Sequence, residues 1–207
     1  MCIFLVKHPD IFPKGLSLPT YKALSEAYRS TVTRTNALFE NADDTMAAEQ
    51  PSEHRWSMLD CIGHLTKIGE AYVDRIGRTL DKTADRGGHG IHGGHGPADE
   101  VRFSFIGRYM IRKMEPPPRL KIKSPRAYVP QSIGSIEETS GYFIALQHEM
   151  LRLLDRMAAQ RTPRTWMSSP IIPAIILPLP DWFGLVVAHA RRHLWQAEQA
   201  KHAVTEG

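Results

Sequence analysis

The sequence predicts an all-α protein, on three observations. Four long stretches, about residues 18–41, 57–80, 135–159 and 181–203, carry apolar residues at the three- and four-residue spacing of a helix with one buried face. Each opens on, or directly after, a residue suited to cap a helix N-terminus. The segments between them are broken by proline or glycine. At 207 residues, 42% of them apolar, the chain is long enough for one domain with a substantial core and short for two.

Residues 1–16 read as a loosely held arm, since Pro9, Pro13 and Gly15 interrupt any regular pattern. The folded domain is then 17–207. Ser17 followed by Pro19 is a helix start signal. Leu24, Tyr28, Val32, Leu38 and Phe39 share one face of the first helix, interleaved with Lys22, Glu26, Arg29 and Arg34. An acidic connector, 41–51, follows. Ser57 and Asp60 form a capping-box-like pair at the head of the second helix. Its inward stripe is Leu59, Ile62, Leu65, Ile68, Tyr72 and Ile76, ending near Leu80.

Residues 81–97 are rich in glycine and carry His89, His92 and His95. Ordering so many glycines around an ion is entropically costly, so a solvated loop or a mobile lid is expected. A short helix over 101–114 follows from Phe103, Ile106, Tyr109, Met110 and Met114, and three prolines from Pro116 stop it. Arg119 to Arg126 is the strongest basic run, suited to an anion or to a solvated extended segment. Ser135 with Glu138 caps the third long helix, whose stripe is Ile136, Tyr142 or Phe143, Leu146, Met150, Leu153, Leu154 and Met157. Prolines at 170, 173, 178 and 180 forbid a long helix over 163–180, which reads as an ordered crossover or a dimer surface. Asp181 is the expected N-cap of the last helix, with Phe183, Val186, Val187, Ala190, Leu194 and Ala197 inward.

The net charge of +4 falls short of a nucleic-acid footprint unless the charge clusters on one face. Two cysteines, Cys2 and Cys61, supply no disulfide framework, and the opening apolar run is too short for a signal peptide. A soluble, cytoplasmic protein without a membrane span is expected.

The candidate chemistry is carried by histidine. His189 and His193 lie four apart on the last helix, one turn above each other. Two such imidazoles can converge on one metal ion, or serve as one core and one solvated histidine. His64, beside the stripe of the second helix, is either a third ligand or a satisfied core histidine. Asp60, one turn earlier, can orient that imidazole or cap its helix, and not fully both. Gln196 is a candidate hydrogen-bond partner three residues after His193. His148, with Glu149, falls mid-helix and can approach a metal from outside the ligand set or face solvent. Cys61 either faces the site or is a small buried thiol. Arg191 and Arg192 are expected to point away from the ligands, toward acidic groups on another helix or subunit.

Trp56 and Ser57 leading to His64 and Leu65, together with the closing run from His189 to Gln196, resemble the DinB/YfiT-like superfamily. The resemblance runs from about Pro19 to Ala203. It implies a four-helix bundle in which His64, His189 and His193 bind a single divalent metal. It also implies thiol-dependent S-transferases, isomerases or hydrolases among the relatives, some using a low-molecular-weight thiol as co-substrate. Three neutral ligands leave an ion with open positions, as in a reactive site rather than a structural one. Zinc, nickel, iron and manganese all suit imidazole. The leading expectation is therefore a metal-dependent enzyme, with thiol transfer to a small molecule first. A non-catalytic, dimeric metal- or ligand-binding bundle is the alternative from another class. Nucleic-acid binding rests only on mild basicity and the Arg119 to Arg126 run.

Overall fold

The computed structural model describes residues 20–85, 100–117, 124–129, 134–160 and 165–206. The arm at 1–16, the Ser17 cap, the histidines of the 81–97 loop and most of the Arg119–Arg126 run lie outside the described residues.

Six helices are described: α1 (Tyr21–Phe39), α2 (Asp44–Ala48), α3 (Met58–Asp85), α4 (Phe105–Met114), α5 (Ile136–Gln160) and α6 (Leu179–Glu206). Two three-residue strands, β1 (Trp166–Ser168) and β2 (Ile176–Pro178), form an antiparallel hairpin with Met167 opposite Leu177. The fold is all-α apart from this hairpin, in a stretch whose proline density reads as an ordered crossover or a dimer surface. The hairpin braces α6, because Trp182 Nε1 donates to the Met167 carbonyl at 2.9 Å. The acidic connector contains α2, and Asp44 there accepts from the backbone N–H of Ile136 at the start of α5.

Helices α1 and α3 each pack against both α5 and α6, which makes the four long helices a bundle. The core divides into two apolar clusters. One holds Tyr28, Ile76, Met150 and Trp182; the other holds Leu38, Ile62, Phe143 and Leu194. Along α1 and α6 the chain passes from the first cluster to the second, and along α3 and α5 from the second to the first. So α1 and α6 run one way and α3 and α5 the other. Two helices pointing the same way need a long return, as in bundles with crossover connections. Between α3 and α5 that return contains α4 and the proline-rich stretch.

On α1, α5 and α6 the change of cluster falls at a polar residue, Thr31 and Thr35, Gln147 and His189 respectively, and on α3 it follows His64 by two or three residues. Thr31 Oγ lies 3.2 Å from Gln147 Oε1 and also donates to the Tyr28 carbonyl. Arg34, read as part of a polar face, is instead buried and makes a bidentate pair with Glu198 of α6.

The caps carry two corrections. Thr20 caps α1, its side chain accepting from Ala23 N–H. Asp181 does not cap α6. That helix begins two residues earlier, since Pro180 is tolerated in a first turn that needs no N–H from it. Asp181 is fully buried and accepts from the backbone N–H and hydroxyl of Ser104, the N-cap of α4. This contact sets the phase of α4. A Cβ on Gly107 would come within 2.2 Å of the Asp181 carboxyl carbon, so only glycine fits there. Gly107 and Ile111 therefore face inward, and Ile106 and Tyr109, expected on the stripe, are exposed.

Candidate metal centre

His64 reaches the bundle interior because α3 starts where it does. Ser57 and Asp60 form a reciprocal capping box, with Asp60 N–H to Ser57 Oγ and Ser57 N–H to Asp60 Oδ2 both at 3.0 Å. Asp60 Oδ2 also accepts from Gln50 Nε2. Asp60 thus does the capping of its two possible roles. The partner of His64 is a residue the sequence reading missed. Its Nδ1 lies 2.7 Å from the carbonyl oxygen of Tyr128, at the end of a single 3-10 turn, Arg126–Tyr128. A carbonyl can only accept, so Nδ1 carries the proton and Nε2 is left with its lone pair free for a ligand. Lys67, one turn along α3, donates to the neighbouring Val129 carbonyl and holds the same turn down. A backbone carbonyl in a proline-rich segment leaves no signal in residue identity, which is why it went unseen.

His189 and His193 project from α6 on the side facing α3. The three ring centroids are 4.6 to 5.2 Å apart, and one nitrogen from each ring lies within 4.8 Å of the other two. His64 Nε2 and His189 Nε2 are 3.4 Å apart. Two bonds of about 2.0–2.1 Å meeting at a tetrahedral angle place their nitrogens roughly 3.4 Å apart, so this pair has the spacing of two ligands on one ion. His193 Nδ1 is buried without a hydrogen-bond partner, an orphan that a coordinating ion or solvent molecule would relieve. Trp56 closes one side. Its ring is 4.9 Å from that of His64 and stacks at 5.6 Å on His193. His189 and His193 keep some exposure while His64 is buried, so the cluster has a closed side and an open one.

Electrostatics keep these rings neutral. Burial pushes His64 below the usual imidazole value, with the Tyr128 hydrogen bond opposing and the Lys67 charge assisting. His189 is pushed down to about 3 by burial, then by His64 and Arg192. His193 is held well below the ordinary value by burial, then by His189, His64 and Arg192, with contact to Gln196 acting the other way. Neutral imidazole is the form that binds metal. Arg192 lies near enough for its charge to act on both histidines, whichever way its side chain points. Arg191 behaves as expected, turning away to a bidentate pair with Glu115 at the end of α4.

The other candidates fall as follows. Gln196 sits beside His193, though it makes no hydrogen bond of ordinary geometry to the orphan Nδ1. His148 is exposed on α5, because the inward phase of that helix runs Phe143, Gln147, Met150, Leu154. Cys61 is a free, buried thiol in the second apolar cluster, its pKa raised by burial and by the Asp60 charge. Among the described residues, no aspartate, glutamate or cysteine joins the three histidines.

One histidine from α3 and an i, i+4 pair from α6 give this helical bundle three close imidazoles that could hold an ion between helices. The family model of the DinB superfamily matches residues 27–197, and the chain belongs to that superfamily. No curated protein and no solved structure gives a significant match. Among the described residues, no helix is long and apolar enough to cross a membrane.

Proposed function

We propose that His64, His189 and His193 bind one divalent ion, and that the protein is a metal-dependent enzyme transferring a low-molecular-weight thiol to a small electrophile. The single observation that carries this is the 3.4 Å approach of two Nε2 atoms, one of them deprotonated by its partner's hydrogen bond to Tyr128. Two such nitrogens repel unless a proton or a cation lies between them. Zinc, nickel, iron or manganese suits three imidazoles. A bound ion would supply Lewis acidity, lowering the pKa of a thiol or water at its open positions. Three neutral ligands leave the ion's double charge uncompensated, which favours an anionic exogenous ligand such as a thiolate. In this reading Tyr128 holds the His64 ring in one tautomer, Trp56 excludes water from one side, and the exposed edges of His189 and His193 admit the substrate. We infer a homodimer acting in the cytoplasm, in keeping with a cysteine content too low for a disulfide framework.

A second reading is supported by the lack of a carboxylate or thiol beside the three histidines among the described residues. The bundle would then bind metal or a small ligand without turnover. A hydrolase or isomerase would use the same ion to activate water or polarise a carbonyl. The test begins with metal content after loading with each of the four ions, comparing the natural chain with His189→Ala. Thiols are then assayed against chlorodinitrobenzene. One ion per chain, thiol turnover, and loss of both in His64→Ala is the expected result. Turnover that survives chelation and the loss of His64 would overturn metal catalysis. Full metal loading without turnover of any thiol would leave the binding reading in its place.

A further inference from the structure

Charge is distributed unevenly along this chain. Between Glu100 and Glu137 the sequence holds eight of its 26 lysines and arginines and one of its 22 acids, Glu115. The other residues carry the remaining eighteen cations and twenty-one acids, so this one segment makes the chain basic. Glu115 is itself committed to Arg191.

That segment contains α4, whose two faces differ. Gly107 and Ile111 pack on α6, while Phe105, Ile106 and Tyr109 are 81%, 59% and 58% exposed. At 3.6 residues per turn these three share one outward arc, and Arg112 and Lys113 fall on the same arc one turn further on. All five are exposed, and Lys113 Nζ sits 5.5 Å from the Tyr109 ring centre. The arc carries no acid. The helix is pinned from behind at both ends, by Ser104 on Asp181 and by Glu115 on Arg191, so this face is presented as a fixed unit.

Exposed phenyl, sec-butyl and phenol side chains flanked by cations are the composition of a helix that lies in the headgroup region of a bilayer. A nucleic-acid backbone would use the cations and leave Ile106 in water. An apolar protein groove would use the apolar residues and leave Arg112 and Lys113 against hydrocarbon. We propose that the outer face of α4 docks on an anionic lipid surface, with Phe105, Ile106 and Tyr109 at the acyl boundary and Arg112 and Lys113 among the headgroups. The contact is peripheral and independent of the metal centre.

The experiment is co-sedimentation of the full chain with vesicles of phosphatidylcholine alone, or with about a third phosphatidylglycerol, across a salt titration. Binding to the anionic vesicles, absent from neutral ones and weakening with salt, is expected. Arg112→Glu with Lys113→Glu should weaken it by about 25-fold or more, since each cation near such a surface contributes about five-fold. Phe105→Ser with Ile106→Ser keeps the charge and should also weaken it several-fold, with helical circular dichroism and metal content unchanged. Because the salt titration of the natural chain needs no variant, a misfolded variant does not rescue the idea. Lack of binding to anionic vesicles would overturn the proposal, as would equal binding to neutral ones. Binding unaltered by Phe105→Ser with Ile106→Ser, with tighter binding to a duplex oligonucleotide, would overturn it in favour of a phosphate-binding surface.

Discussion

The two halves of α6 hold buried polar groups under opposite conditions. Near its start, Asp181 accepts two hydrogen bonds from Ser104, Trp182 donates to Met167, and the Phe183 carbonyl accepts from Tyr28 at 2.8 Å. Half-way along, His189 and His193 face a third imidazole, one nitrogen has no partner, and the pKa values of all three are pushed down. A buried polar group with its partners in place holds a fold together; one without them costs stability until something binds. The polar groups at the start of α6 have their partners in place, whereas the histidines further along leave a cluster that could hold an ion.

The largest effect should come from removing one of those histidines. His64→Ala or His189→Ala should reduce bound metal from one per chain to near zero by elemental analysis. At a hundredfold excess over its dissociation constant, the right ion should stabilise the natural chain by about 2.7 kcal/mol and these variants by almost nothing. Equal stabilisation of variant and parent would erase the distinction between the two halves.

Acidity should act next most strongly, and on the histidine half. In the metal-free protein His189 titrates at about 3 and His193 lies well below its ordinary value, while the unfolded chain protonates both near 6.5. Between those limits the unfolded state binds more protons, so stability is complete above about pH 6.5 and is lost as pH falls toward 3. The slope should reach at most about 1.4 kcal/mol per pH unit for each histidine. Denaturant midpoints across this range should flatten in His189→Phe.

The satisfied half responds to sterics instead. Gly107→Ala must displace the Asp181 carboxylate and should cost about 1–3 kcal/mol by denaturant titration, with metal content unchanged. Trp182→Phe loses the bond to Met167 and part of a fully buried ring that packs on Tyr72, for about 1–3 kcal/mol. A larger metal loss in either variant than in His189→Ala would break the separation of the two halves.

Much of this was legible in sequence, for local reasons. Helices α1, α3, α5 and α6 were readable because three- and four-residue spacing reports burial directly, and the Ser57–Asp60 and Ser135–Glu138 boxes lie within a single turn. The histidine pair on α6 was readable from its spacing, and His64 from the family resemblance. Asp181 was misread because a capping residue and a buried hydrogen-bond acceptor have the same identity. Ile106 and Tyr109 were misread because a ten-residue helix offers apolar residues on both faces, and a distant carboxylate chose between them.

The amino-acid order alone determined where the helices lie and which side chains are able to ligate, since both follow from neighbours within a few positions. Only the tertiary structure decided that α3 and α5 run parallel, that the Tyr128 carbonyl orients His64, and that Arg192 sits close enough to charge the site. Those are contacts between segments far apart in the chain, and their energies depend on distances that no local pattern encodes.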